Sequence, residues 1–327
     1  MKMGPKTLRF AASLGLVVLA LAALAWTGIV TPKAIATAVA SPRLALAALA
    51  VILLGAQLSV VRWYLLLAWQ GYRLRYWEVW RVSYISWFLG AFLPGVAGTD
   101  ILRTIYLFKD GSDRRAASFD SVLLDRLFGL AALLILALIL LLARSETGLP
   151  VILRASVCVF LAGTLLAIFA APFAALWFKN VLLRLLHGHH RLSRLVLELE
   201  KAASLTNTAW HQEPGKLFVC LGLGVLGHVF VMAAIVLTAV GAGATALSLP
   251  DLALAGTLAV LLNQLPLTPG GIGIGEAGFA QLCLLMAPHS NPALYGSVML
   301  VFRAMTLLSY APGAVALMAA PPSEKPR

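Results

Sequence analysis

For most of this chain the apolar positions run unbroken, neither alternating nor recurring in stripes. Six stretches hold roughly the 20 apolar residues that a helix needs to cross a bilayer: Phe10–Val30, Leu44–Leu67, Ser121–Ala143, Val151–Trp177, Leu217–Val240 and Ala293–Val315. Each predicts a transmembrane helix. Two further apolar regions are interrupted, Val82–Phe108 by "LPGVAGTD" (93–100) and Leu252–Ala287 by "LPLTPGGIGIGEAGF" (265–279). The arms flanking Pro94 and Pro266 are about 8 to 15 residues long, too short to cross at ~1.5 Å per residue. They predict two re-entrant hairpins, each entering and leaving by one face. In "HRLSRLVLELEKAASL" (190–205) apolar residues recur at helical spacing between charges. This predicts an amphipathic helix at the cytoplasmic surface, within a segment spanning 180–213.

Composition agrees. The 327 residues are 61% hydrophobic and 12% charged, with a mean hydropathy of +0.92. Soluble domains carry roughly twice that charged share. The run from Phe10 to Thr31 is longer than the core of a signal peptide and precedes further membrane segments, so it reads as a first span. Cys158, Cys220 and Cys283 lie inside apolar runs and read as free thiols.

The net charge of +12 has a topological meaning and calls for no nucleic acid. With the N-terminus inside and both hairpins re-entrant, the inner segments collect Lys2, Lys6, Arg9, Arg73, Arg75, Arg81, Lys109, Arg114, Arg115 and the basic residues of 179–216. The outer segments hold Lys33, Arg43, Arg144 and Arg154. Positive residues favour the cytoplasmic side, so both termini are expected there, in a multi-pass protein of the cell membrane.

The two interruptions resemble each other. "PGVAGTD" (94–100) and "PGGIGIGE" (269–276) both read Pro-Gly-x-x-Gly and end in an acid, Asp100 or Glu276. An arginine embedded in the next span follows 26 residues later in the first case (Arg126) and 27 in the second (Arg303). Each half, about 10–143 and 151–318, then holds two spans, a hairpin and a third span. Three crossings invert the second half relative to the first, a plan common among transporters. Irregular backbone at membrane depth is tolerated where it is buried in protein or lines a cavity, and charges there usually mark pathways. Gly95, Gly98, Pro269, Gly270, Gly271 and Gly273 are therefore candidate backbone sites beside Asp100, Arg126, Glu276 and Arg303. The packing alternative is a tight hairpin tip whose acid is neutralised by an arginine.

These motifs also resemble a known family. "RW" at Arg62–Trp63, "LPGVAGTDILR" (93–103), "LLDRLFGL" (123–130) and "PLTPGGIGIGEAGF" (266–279) are similar to the transmembrane region of lysylphosphatidylglycerol synthases, which also occurs alone as flippase-like proteins. The resemblance places a glycine-acid-arginine motif on Gly98, Asp100 and Arg103. It places an acid-arginine pair on Asp125 and Arg126, with Asp where Glu is more usual. A second glycine motif falls on Pro269, Gly270, Gly271, Gly273 and Glu276. The resemblance implies movement of lipids or lipid-linked head groups between leaflets. The soluble synthase domain of bifunctional members is not expected in a chain ending at Arg327, so aminoacyl transfer is not expected either.

Guanidinium groups suit phosphate, and a lipid flippase or transporter with an anionic cargo is the leading expectation. The alternatives are a scaffold for a separate lipid-modifying enzyme, or a membrane enzyme acting on lipid or polyprenyl phosphate. The chain offers no acyltransferase signature and no Gly-x4-Gly-Lys-Ser/Thr loop, so neither enzyme activity nor direct ATP use is expected. No cofactor or metal is called for: "HGHH" (187–190) reads as solvated histidines beside arginines.

Overall fold

A computed structural model describes residues 22, 24–91, 97–108, 115–143, 148–185, 214–265, 268 and 271–319, with the side chains of 97–98, 108, 115–120 and 171–185 left aside. Gly95, Pro269, Gly270, the "HGHH" motif, the 190–205 segment and most of Phe10–Val30 lie outside these residues. The described chain is helical: α1 Pro32–Ala38, α2 Pro42–Trp69, α3 Tyr76–Gly90, α4 Ala97–Phe108, α5 Arg115–Ala143, α6 Val151–Leu185, α7 Pro214–Gly241, α8 Leu249–Leu262, α9 Ile274–Met286, α10 Pro292–Ser309 and α11 Ala311–Met318. Among the described residues, five segments are long and apolar enough to cross a membrane: Pro42–Trp69, Ser121–Ala143, Val151–Ala170, Pro214–Gly241 and Pro292–Met318. Together they make an all-α, multi-pass membrane architecture.

Proline sets many of the helix starts, because it has no N–H to leave orphaned in a first turn. It lies in the first turn of α1, α2, α8, α10 and α11. Thr31 caps α1 and Ser248 caps α8 through their side-chain oxygens. The last apolar run divides: α10 stops at Ser309, and α11 begins beside Pro312. The proline cannot donate the bond that a continuous helix would need there.

The longest interface joins α2 to α7. It is close because glycine meets glycine. A Cβ on Gly55 would lie 3.2 Å from the Gly227 carbonyl oxygen, and one on Gly227 would lie 3.7 Å from that of Gly55. Small residues let membrane helices approach this closely and gain dispersion energy that lipid cannot match. Around this crossing α2 touches α3, α5 and α10, while α7 touches α5, α8 and α10. The short helices pair as α3 with α4 and α8 with α9; α11 then packs on α3, and α5 packs on α8. The main apolar core gathers α7, α8, α9 and α10 around Ile235, Leu252, Phe279, Tyr295 and Val298. Cys158, Cys220 and Cys283 are free thiols.

Candidate functional site

The break before α9 is held by Glu276. Two glycines shape it, Gly271 at φ +71° and Gly273 at φ +90°, a region that disfavours residues with a Cβ. Gly273 donates its backbone N–H to Glu276 Oε2 at 2.8 Å, so the carboxylate closes the first turn of its own helix. Arg303, one helix later on α10, donates Nε to Glu276 Oε1, and Nη2 to the Gly271 carbonyl at 3.0 Å. The same Nη2 lies 3.4 Å from Asn263 Oδ1, at the C-terminal end of α8. Glu276 has no solvent exposure. The arginine therefore ties both ends of the break to α10, and the acid neutralises it in place.

The first half holds a larger charged cluster. Arg126 on α5 pairs through Nε with Asp100 Oδ2 on α4 at 2.6 Å. Asp125, the residue before it, accepts from Arg62 Nε at 2.7 Å and from Arg103 Nη1 at 2.9 Å. Arg62 reaches across because Gly129 on α5 and Gly224 on α7 leave room: a Cβ at either would lie 3.2 or 3.0 Å from the guanidinium nitrogens. His228 lies beside this crossing, its Nε2 3.0 Å from the Gly129 carbonyl oxygen. The Arg103 guanidinium is held over two rings, 4.5 Å from the Trp63 centroid and 5.4 Å from that of Trp87.

Trp87 begins the link between the two ends of the chain. Its ring lies 5.6 Å from that of Tyr310, between α10 and α11. Tyr310 is within electrostatic range of Arg103, Arg126 and Arg303. On the other side of Trp87 a ladder of rings runs back along α3: Tyr84 at 5.1 Å, then Trp80 at 4.4 Å from Tyr84, then Trp77 at 4.3 Å from Trp80.

The pairs read from the 26- and 27-residue spacing, Asp100 with Arg126 and Glu276 with Arg303, are brought together. Asp125 and Arg103 join a cluster of their own. Gly98 lies in the first turn of α4, and Gly271 and Gly273 shape the second break. Sequence reading passed over Arg62, Asn263, Trp87 and Tyr310 as site residues. For Arg62 a signal existed: it is the only charge between Leu44 and Leu67.

No curated protein and no solved structure matches the chain. One family does: the profile described as the lysylphosphatidylglycerol synthase TM region matches residues 8–313. That span takes in both breaks and every ion pair described above, and the chain belongs to this family of membrane domains.

Proposed function

We propose that the protein moves a lipid, or a lipid-linked head group of net negative charge, between the leaflets of the cell membrane. In this reading the pairs α3/α4 and α8/α9 are re-entrant hairpins in two inverted halves, and both termini are cytoplasmic. The contact pattern supports it. Exchanging α2, α3, α4 and α5 with α7, α8, α9 and α10/α11 turns each packing pair among them into another that is present: α2·α3 into α7·α8, α4·α5 into α9·α10, α2·α5 into α7·α10, and α5·α8 into α11·α3. The Gly55–Gly227 contact lies where a two-fold axis in the membrane plane would pass. The observation that carries the transport reading is the charged cluster of Arg62, Arg103, Arg126, Asp100 and Asp125, set among apolar helices where ionised groups are costly and mark pathways.

Liposomes holding this protein alone test the function directly. A fluorescent anionic phospholipid placed in both leaflets becomes accessible to an external quencher beyond the outer-leaflet half when the protein moves it. Accessibility stuck at half would leave a scaffold for a separate lipid-modifying enzyme as the better reading. The topology has its own test. Cysteines at Ser248 and His289, flanking α8 and α9, should both label from outside, and labelling from opposite faces would remove the hairpin.

A further inference from the structure

Buried polar atoms without a partner are rare in native proteins, and each points to something that completes it. Among the described residues they concentrate in one place: Trp63 Nε1, Ser83 Oγ, Ser86 Oγ, Arg103 Nε and Asp100 Oδ1 all lie on α2, α3 and α4, with both side-chain atoms of Gln70 at the end of α2. Trp63, Ser83 and Ser86 are fully buried and Arg103 is 4% exposed. One of them, Trp63, also lines a cleft of about 200 Å³ whose other walls are Leu74, Glu78, Val79, Val82, Tyr106 and Leu107. Helical periodicity relates wall to orphaned atoms. Ser83 and Ser86 follow Val79 and Val82 by four residues on α3, and Arg103 precedes Leu107 by four on α4. All three therefore lie one turn nearer the break. Trp63 belongs to both sets.

We propose that this cleft is the head-group site of the transport reading, and that it takes the phosphodiester of a membrane phospholipid on the Arg103 Nε–H and the Trp63 indole N–H. Chemistry gives a second reason. Both unmet groups are N–H donors and one belongs to a guanidinium cation, so an anionic acceptor completes them. A phosphodiester supplies a single negative charge, and the Glu78 carboxylate in the cleft wall disfavours a dianion. The cleft is below the ~300–1,000 Å³ of drug-sized sites, which suits a head group and leaves the acyl chains outside. The proposal rests on the transport reading only for its physiological meaning; binding is measured without transport.

The full chain in detergent is titrated with dihexanoyl phosphatidylglycerol, dihexanoylglycerol and inorganic phosphate, following intrinsic tryptophan fluorescence and thermal unfolding. The phospholipid should bind and the uncharged diacylglycerol should not. Trp63→Phe keeps the ring and loses the donor; Arg103→Lys keeps the ion pair and loses Nε. Each should weaken phospholipid binding about tenfold, as loss of a hydrogen bond to a charged group does. Ser297→Ala, which removes an orphaned hydroxyl on α10 outside the cluster, should bind as the wild type does. Equal affinity of wild type and both folded variants overturns the site, and so does tight binding of dihexanoylglycerol. Inorganic phosphate binding as tightly as the phospholipid would make it a free-phosphate site and overturn the lipid assignment. Binding as expected without lipid movement in liposomes would remove the transport reading and leave the site.

Discussion

At the break before α9 the charges are closed on themselves: Glu276 is fully buried, caps its helix and pairs with Arg303, which also holds the Gly271 carbonyl. Around α4 the same residue types are left open, with the Asp100 and Arg126 side chains 23% and 36% exposed and donors at Arg103 and Trp63 unmet. The inverted register proposed above sharpens the contrast. Arg62 lies seven residues past Gly55, and Ala234 lies seven past Gly227. Arg103 follows Asp100 by three, as Phe279 follows Glu276; Asp125 precedes Arg126, as Phe302 precedes Arg303. In that register the positions of Arg62, Arg103 and Asp125 correspond to Ala234, Phe279 and Phe302, all buried in one apolar core. In the same register the first break carries unmet donors, and the second is fastened by its own ion pair. What distinguishes the proposed ligand site from the second break is the orphaned donors, since both hold an intramembrane acid and arginine.

The largest effect that separates the two regions is expected at Arg303. Arg303→Ala strands a buried carboxylate and should cost about 3–5 kcal/mol of unfolding free energy in detergent. Glu276→Gln should cost less, because Arg303 keeps the Gly271 carbonyl. Next comes Gly271→Val, which must hold a positive φ with its Cβ 2.6 Å from Asn263 Oδ1. A loss of about 1–3 kcal/mol is expected from such strain, with lipid movement per folded molecule unchanged. Lost movement at wild-type stability would instead return these glycines to the pathway.

The sharpest test copies the second half into the first. The triple variant Arg62→Ala, Arg103→Phe, Asp125→Phe removes Asp125 together with both of its arginine partners and leaves the Asp100–Arg126 pair. Apolar replacement of such clusters is often neutral or stabilising by about 1–4 kcal/mol. The expected outcome is a folded protein at least as stable as the wild type that no longer moves lipid. Transport surviving in that variant would erase the distinction between the regions. The smallest effect is expected at Tyr84→Phe, which loses the 2.7 Å hydrogen bond from Gln57 Nε2 to the Tyr84 hydroxyl. About 1 kcal/mol should be lost, with phospholipid affinity unchanged.

Much of this was legible in the chain. Apolar run length gave the long helices, because in lipid the backbone must satisfy its own hydrogen bonds. The 26- and 27-residue spacings gave two ion pairs, because each acid opens a short helix and each arginine sits in the span that follows. Arg62 was harder. Its partner Asp125 is 63 residues away on another helix, and the gap between them is closed by the smallness of Gly129 and Gly224. Nothing local encodes that meeting. The α1 helix has no signal in the apolar pattern, since seven residues give too short a period to see. Ala293–Val315 reads as one span, and Pro292–Met318 is long and apolar enough to cross as one; what apolar content hid is the division at Pro312 into α10 and α11.

The distance between Arg62 and Asp125 has a consequence in time. Ribosomes emit this chain from the N-terminus, so α2 is made with its arginine before any of α5 exists. An arginine at the middle of a helix adds about 2.5–3.5 kcal/mol to the apparent cost of insertion; Arg62, seven residues before the end of α2, adds part of that, which the leucines and valines of α2 must outweigh alone. The helix then waits with an uncompensated cation in the bilayer while α3 and α4 are made. Asp100 and Arg103 arrive next, together on α4, and Asp125, the partner of both Arg62 and Arg103, comes last. Completion of the Arg62–Asp125–Arg103 ion pairs thus waits for synthesis of α5.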